Sequence, residues 1–263
     1  MKTIQDFNKK KIAKEKISMI TCYDFWSAKI INDSPIDCIL VGDSAGMVMH
    51  GFESTLPVDI KMMEMHLSAV KKGAPNKFIV ADMPFLAHRK GTKHTMDCVE
   101  KLMRSGANAV KIEAQAGHEA IIKHIVDSGV PVIGHIGLIP QSVHQLGGYK
   151  TQGKDTSSAL RLHALAKKLE ESGCCALVLE CIPETLAKKI TDQLHIPTIG
   201  IGSGTNTDGQ VLVLQDMLGC QKDFSPKFVK KMTDTYASML TALTDFHSYV
   251  QEPEVFENRD KIQ

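Results

Sequence analysis

Short apolar runs recur along the chain, several of them closing on a charged residue, with longer stretches of helical spacing between them. They are Ile17-Ser18-Met19-Ile20-Thr21, Cys38-Ile39-Leu40-Val41-Gly42-Asp43, Phe78-Ile79-Val80-Ala81-Asp82, and Ala109-Val110-Lys111-Ile112-Glu113. Then come Pro131-Val132-Ile133-Gly134-His135, Ala176-Leu177-Val178-Leu179-Glu180, Pro197-Thr198-Ile199-Gly200-Ile201 and Gln210-Val211-Leu212-Val213-Leu214. Each has the length and composition of a buried strand; the eighth also fits the start of a helix. In the intervals Ile60, Met63, Leu67 and Val70 form one apolar stripe at helical spacing, as do Leu162, Leu165, Ala166 and Leu169. Gly73, Gly106, Gly129 and Gly173 follow helical stretches, where a left-handed terminal residue favours glycine. Eight strands alternating with helices predict a parallel sheet. With 263 residues, against ~250 for a typical closed barrel, a (β/α)8 TIM barrel is the economical α/β solution. No G-x-G-x-x-G follows the first strand, which weighs against an open dinucleotide-binding sheet.

Residues 1–16 read as an extra N-terminal helix outside the repeat, placed to cover one barrel end. A last helix is predicted over about 226–250, with Met232, Met239, Leu243, Phe246 and Val250 on one face. A charged tail follows, 251–263. No linker or composition break interrupts the chain, so 1–263 reads as one barrel domain.

Charge changes little in this picture. The chain carries 31 basic and 30 acidic residues, a net +1, which gives no reason to expect nucleic acid or an anionic membrane surface. The N terminus has no apolar segment of signal-peptide type, and no run approaches a membrane span. Seven cysteines form no C-x-x-C pair, as expected of a soluble, cytoplasmic protein with reduced thiols.

The candidate chemistry lies at the strand ends. Strand side chains alternate, so Lys111 and Glu113 point the same way. In a barrel of this kind the active site lies at the carboxyl ends of the strands. Asp43, Asp82, Glu113 and Glu180 would converge there with Lys111 and His135. Several carboxylates crowd together only with a cation between them. A hard divalent ion, Mg2+ first, is one solution; a salt-bridge ring closed by Lys111 and surface lysines is the other. His135 can orient a substrate carboxylate or hydrogen-bond within the rim. The loop Gly200-Ile201-Gly202-Ser203-Gly204 has the glycines of a phosphate site but no basic residue. The 142–155 connection, with Gly147, Gly148 and Gly153, has the length of a lid.

At these residues the chain resembles the ketopantoate hydroxymethyltransferase family. The matching stretches are Val41-Gly42-Asp43-Ser44, Ala81-Asp82-Met83-Pro84-Phe85 and Ala109 to Glu113. Longer ones run from Gly134-His135-Ile136-Gly137-Leu138-Ile139-Pro140-Gln141-Ser142-Val143 to Gly147-Gly148-Tyr149-Lys150, and from Gly200-Ile201-Gly202 through Asp208-Gly209-Gln210-Val211-Leu212. The resemblance covers roughly 17–250. It implies a barrel of the phosphoenolpyruvate/pyruvate type. It places Asp43, Asp82 and Glu113 around Mg2+, sets Ser44, Asp43, Asp82 and Lys111 against an α-keto acid, and makes Glu180 the base. It implies transfer of a one-carbon unit from 5,10-methylenetetrahydrofolate to 3-methyl-2-oxobutanoate, giving ketopantoate for coenzyme A synthesis, in a homo-oligomer that would be a decamer. The chain departs from the family pattern at Ala45, at Leu86-Ala87-His88 and at Ala114-Gln115. Lys111 as a Schiff-base residue, a metal-dependent α-keto acid lyase or mutase, and a catalytically silent barrel are the competing readings.

Overall fold

The computed structural model describes residues 3–222 and 226–251, apart from the side chain of Leu146. The chain divides into two compact units, Met1–Val213 and Leu214–Gln263.

The first unit holds eight strands: β1 (Ile17–Thr21), β2 (Cys38–Val41), β3 (Phe78–Asp82), β4 (Ala109–Glu113), β5 (Val132–Gly137), β6 (Ala176–Glu180), β7 (Thr198–Ile201) and β8 (Gly209–Leu212). They close in sequence order, every pairing parallel, with β8 against β1. Its helices are α1 (Ile4–Ala13), α2 (Phe25–Asp33), α3 (Ala45–Val48), α4 (Ile60–Gly73), α5 (Thr92–Arg104), α6 (Glu119–Asp127), α7 (Val143–Leu146), α8 (Thr156–Glu171) and α9 (Glu184–Gln193). A 3-10 turn, Pro140–Ser142, lies between β5 and α7. Asp59 and Asp155 start α4 and α8 where the apolar spacing begins, each accepting a backbone N–H of the first turn. The stripe of α4 is buried at Met63, Leu67 and Val70.

Period-2 alternation builds the barrel interior in two zones. Ile17, Met19, Cys38, Leu40, Phe78, Val80, Ala109, Ile133, Ala176, Val178, Ile199 and Val211 form one buried apolar cluster. Two residues further along the same faces stand Asp82, Lys111, His135 and Glu180, with Glu113 beyond Lys111. Each strand thus runs from an apolar base to a polar end. At the opposite end α1 acts as a plug. Phe7 joins the apolar cluster and meets Phe78 edge-on, with ring centroids 5.2 Å apart. Lys11 Nζ reaches Asp208 Oδ2 at 2.7 Å and Lys10 Nζ reaches Asp37 Oδ1 at 2.6 Å.

The structure differs from the predicted strands at three places. β2 stops at Val41, so Asp43 lies in the turn into α3, beyond the ladder. β5 continues through Ile136 and Gly137, because both pair with β6. β8 ends at Leu212, where its pairing with Ile20 ends, and Leu214 begins a helix instead.

The second unit contains α10 (Leu214–Met217) and α11 (Thr235–Gln251). The helix expected from 226 begins at Thr235, because Asp234 accepts the Ala237 N–H at 3.0 Å as an N-cap. Met232 therefore precedes the helix. No residue of α11 is buried; Met239, Leu243, Phe246 and Val250 are all more than half exposed. Of the expected tail, residues 252–263 lie outside the described residues.

Gly137 shows how closely the polar zone is assembled. Its φ is +100°, and a Cβ there would stand 2.2 Å from the Glu180 carbonyl oxygen. A left-handed non-glycine residue costs on the order of 1–3 kcal/mol before any overlap. Gly137→Ala is expected to lower the Tm by at least ~5 °C in a thermal melt. An unchanged Tm would mean that β5 and β6 approach less closely than described.

Candidate active site

The polar ends of β3, β4, β5 and β6, with the turn after β2, bring together Asp43, Asp82, Lys111, Glu113, His135 and Glu180. All but Glu180 are buried; its side chain keeps 17% of its surface exposed. Register sets the neighbours: Asp82 pairs with Lys111, Glu113 with His135, and Gly137 with Glu180.

Lys111 is the central cation. Its Nζ is 2.9 Å from Asp82 Oδ1 and 3.1 Å from His135 Nδ1. Burial alone would lower its pKa; the charges of Asp82, Glu113 and Asp43 outweigh this and raise it. An ammonium can only donate, so His135 Nδ1 accepts and the ring proton belongs on Nε2. Burial first and Lys111 second hold His135 well below its ordinary pKa, hence neutral. Its Nε2 lies 3.1 Å from Glu180 Oε2, though not aligned for a full hydrogen bond. Asp82 Oδ1 stands in the same position toward Lys111: close in charge, without an aligned hydrogen bond.

The carboxylates are held apart by neutral donors. Asp82 Oδ2 accepts the Asp43 backbone N–H at 3.0 Å. Gln141 Nε2 donates to Asp43 Oδ2 at 2.8 Å, and Gln141 N donates to Glu113 Oε2 at 2.9 Å. Burial, and then the Asp82 charge, push Asp43 up to about 7. Burial and the Asp43 charge raise Glu113 well above the usual range. Burial raises Glu180 to about 7, with Lys111 pulling the other way. Lys111 is the cation that meets this cluster directly, through Asp82, and burial and mutual repulsion push Asp43 and Glu113 toward their protonated forms.

Ser44 is half-buried beside the cluster, with its Oγ 2.7 Å from the Tyr23 hydroxyl. Strand-end reasoning reaches neither Tyr23 nor Gln141. Tyr23 follows β1 as an ordinary core aromatic, and Gln141 lies inside a loop motif with no charge to mark it. The Gly200–Gly204 loop is tied to β6 and α9: Ser203 Oγ donates to Leu179 O at 2.8 Å, and Gly204 packs on Glu184. The 142–155 connection begins with α7, and Gln152 N–H donates to Cys181 O at 2.9 Å.

The fold agrees with what the chain is similar to. The family model for ketopantoate hydroxymethyltransferase matches residues 1–256. The 3-methyl-2-oxobutanoate hydroxymethyltransferase of Bdellovibrio bacteriovorus is 54% identical over 250 residues, covering 95% of each chain. That of Coxiella burnetii is 53% identical over 247 residues, covering 94% of this chain and 93% of its own. Among solved structures, phosphonopyruvate hydrolase in complex with oxalate and Mg2+ superposes with a TM-score of 0.65 at 9% identity, covering 100% of this chain and 92% of that one. A 2,3-dimethylmalate lyase of the PEP mutase/isocitrate lyase superfamily gives 0.58 at 14% identity, covering 96% and 99%. The structural likenesses carry the barrel fold. The sequence matches carry the family: this chain belongs to the ketopantoate hydroxymethyltransferases.

Proposed function

We propose that the chain transfers a hydroxymethyl group from 5,10-methylenetetrahydrofolate to 3-methyl-2-oxobutanoate, giving ketopantoate, with Mg2+ as cofactor. The observation that carries this reading is the buried Asp43, Asp82, Glu113 and Lys111 cluster with Glu180 beside it, in a chain of this family. The donor set suits a hard divalent ion. It is all oxygen, its carboxyls raise one another's pKa, and Asp82 Oδ1 is buried without an aligned hydrogen bond. No three acidic, histidine or cysteine groups among the described residues close a ligand set alone. Mg2+ usually keeps several waters and takes only one or two carboxylates. Asp43, Asp82 and Glu113 would hold it, directly or through water. Bound there it would polarise the keto oxygen of the substrate as a Lewis acid.

The chain's own residues do the rest. Asp43, Ser44, Asp82 and Lys111 border the place for the keto acid. Lys111 offsets the substrate carboxylate and the negative charge that develops on C2–O as the C3 proton leaves. Glu180 takes that proton; a carboxylate raised to about 7 is well matched to the task. The electron pair left at C3 forms the new bond to the methylene carbon; both carbon–nitrogen bonds of that methylene break, water supplies the hydroxyl oxygen, and tetrahydrofolate leaves with its two nitrogens protonated. Lys111 does not form a Schiff base, because its surroundings hold it protonated.

The reading extends to assembly and place. The exposed apolar residues of α11 support a homo-oligomer, for which a decamer is the number the family implies. No helix among the described residues is long and apolar enough to cross a membrane. A cytoplasmic enzyme acting on small molecules is the consistent setting.

The deciding assay is ketopantoate formation with and without Mg2+ and with and without the folate. Turnover without folate would favour a lyase or mutase instead. The pH profile carries a sign. Glu180 accepts a proton only when ionised, so C3 exchange is expected to rise with pH through about 7 and level off above it. A flat profile between pH 6 and 8 would point to another base.

A further inference from the structure

Gln141 touches the acidic cluster from the loop after β5 with a neutral side chain. It is 6% exposed. Its amide nitrogen donates to Asp43 Oδ2 at 2.8 Å and to the Met83 carbonyl at 2.9 Å. Its backbone N–H donates to Glu113 Oε2 at 2.9 Å. One residue therefore ties together the turn after β2, the end of β3 and the end of β4. The Met83 carbonyl has no proton to give, which settles the amide orientation: nitrogen toward the cluster.

The chain explains why a glutamine can do this. Pro140 starts the 3-10 turn and leaves Gln141 as the first residue there with a free N–H. The turn aims that N–H at Glu113, while the three-carbon reach of the side chain carries the amide across to Asp43. The bonds occupy one oxygen of each carboxylate. They leave Asp43 Oδ1 and Glu113 Oε1 unclaimed by Gln141.

We propose that Gln141 is a positioning residue that orients Asp43 and Glu113 as metal-binding carboxylates. This rests on the reading of the cluster as a divalent-ion site. Residues that hydrogen-bond to metal-binding carboxylates fix their orientation, and losing one typically weakens metal affinity ~10–100-fold. The role extends to the substrate only through those two carboxylates, so keto-acid KM follows metal affinity.

Two variants separate positioning from packing. Gln141→Met keeps the length and volume and removes both side-chain donors. Gln141→Asn keeps the amide but shortens its reach. If Gln141 merely fills space, the methionine variant behaves as wild type and the asparagine variant does not. If it positions carboxylates, both lose affinity, and methionine loses at least as much as asparagine.

The measurement is Mn2+ binding to the full-length protein without substrate, followed by loss of the free-Mn2+ electron paramagnetic resonance signal. Thermal melts report folding, and the methionine variant decides; Gln141→Leu, which also lacks the donors, takes its place if the methionine variant does not fold. The dissociation constant is expected to rise ~10-fold or more in Gln141→Met, with unchanged helix content. A folded methionine variant within about twofold of wild type would overturn the proposal while leaving the metal site intact. Wild-type protein that binds no Mn2+ would overturn the metal-site reading and this proposal with it.

Discussion

Glu180→Gln is expected to slow exchange of the C3 proton of 3-methyl-2-oxobutanoate into deuterated water by ~10²-fold or more. The substitution keeps the shape and removes the basic oxygen. Glu180 stands at the end of β6, facing the neutral His135 Nε2 at 3.1 Å rather than Lys111. It shares no hydrogen bond with Asp43, Asp82 or Glu113, and its charge is the last and smallest of the causes that raise Asp43 and Glu113. Mg2+ and keto-acid binding should therefore stay near wild type while exchange collapses. Proton NMR without folate isolates this first step from carbon–carbon bond formation. The variant should also lose the rise in rate through pH 7, since the group behind it is gone. Exchange near the wild-type rate would assign the proton transfer elsewhere, and His135 would be tested next.

Lys111→Met is expected to destabilise the metal-free protein by roughly 3–5 kcal/mol, the usual scale for a buried ion pair that loses one partner. Lys111 and Asp82 are each about one-twentieth exposed, so solvent does little to soften the loss. The effect should depend on pH. Asp43 holds its proton up to about pH 7 in the folded protein, against ~3.9 for an unfolded aspartate. A carboxyl raised in this way favours folding at low pH, and that advantage is lost as pH rises through the folded value. Without Lys111 the folded value moves higher still, so the loss of stability continues to higher pH. The deficit should be larger at pH 8 than at pH 5, measured by denaturant unfolding with EDTA present. Adding Asp82→Asn removes one unpaired charge and should restore much of the loss, a coupling expected of residues in direct contact. A Lys111→Met protein as stable as wild type at pH 8 would mean that its neighbours are already neutral.

The barrel was legible in the sequence because strand alternation and helical spacing are local properties. Phe78, Val80 and Asp82 share a face whatever they pack against, and so do Ala109, Lys111 and Glu113. That pattern alone places an acid or a lysine on top of an apolar layer, once eight such runs alternate with helices. The stretches from Asp43-Ser44 to Gly134–Lys150 were enough to indicate the family. Element ends were less legible. The helix start at Thr235 depends on the cap of Asp234, and the end of β2 depends on where its ladder with β3 stops.

Only tertiary structure decided how the site is wired. Asp43 belongs with the cluster although it is outside the ladder, because its N–H reaches Asp82 and its carboxylate reaches Gln141. Gln141 carries no charge and sits 98 positions from Asp43, so no spacing rule marks it. The raised Glu180 comes from burial, and the neutral His135 from burial beside Lys111. Burial and proximity arise when the barrel closes and brings distant strand ends together. A sequence specifies which residue types stand at those ends; closure decides which oxygen faces which proton.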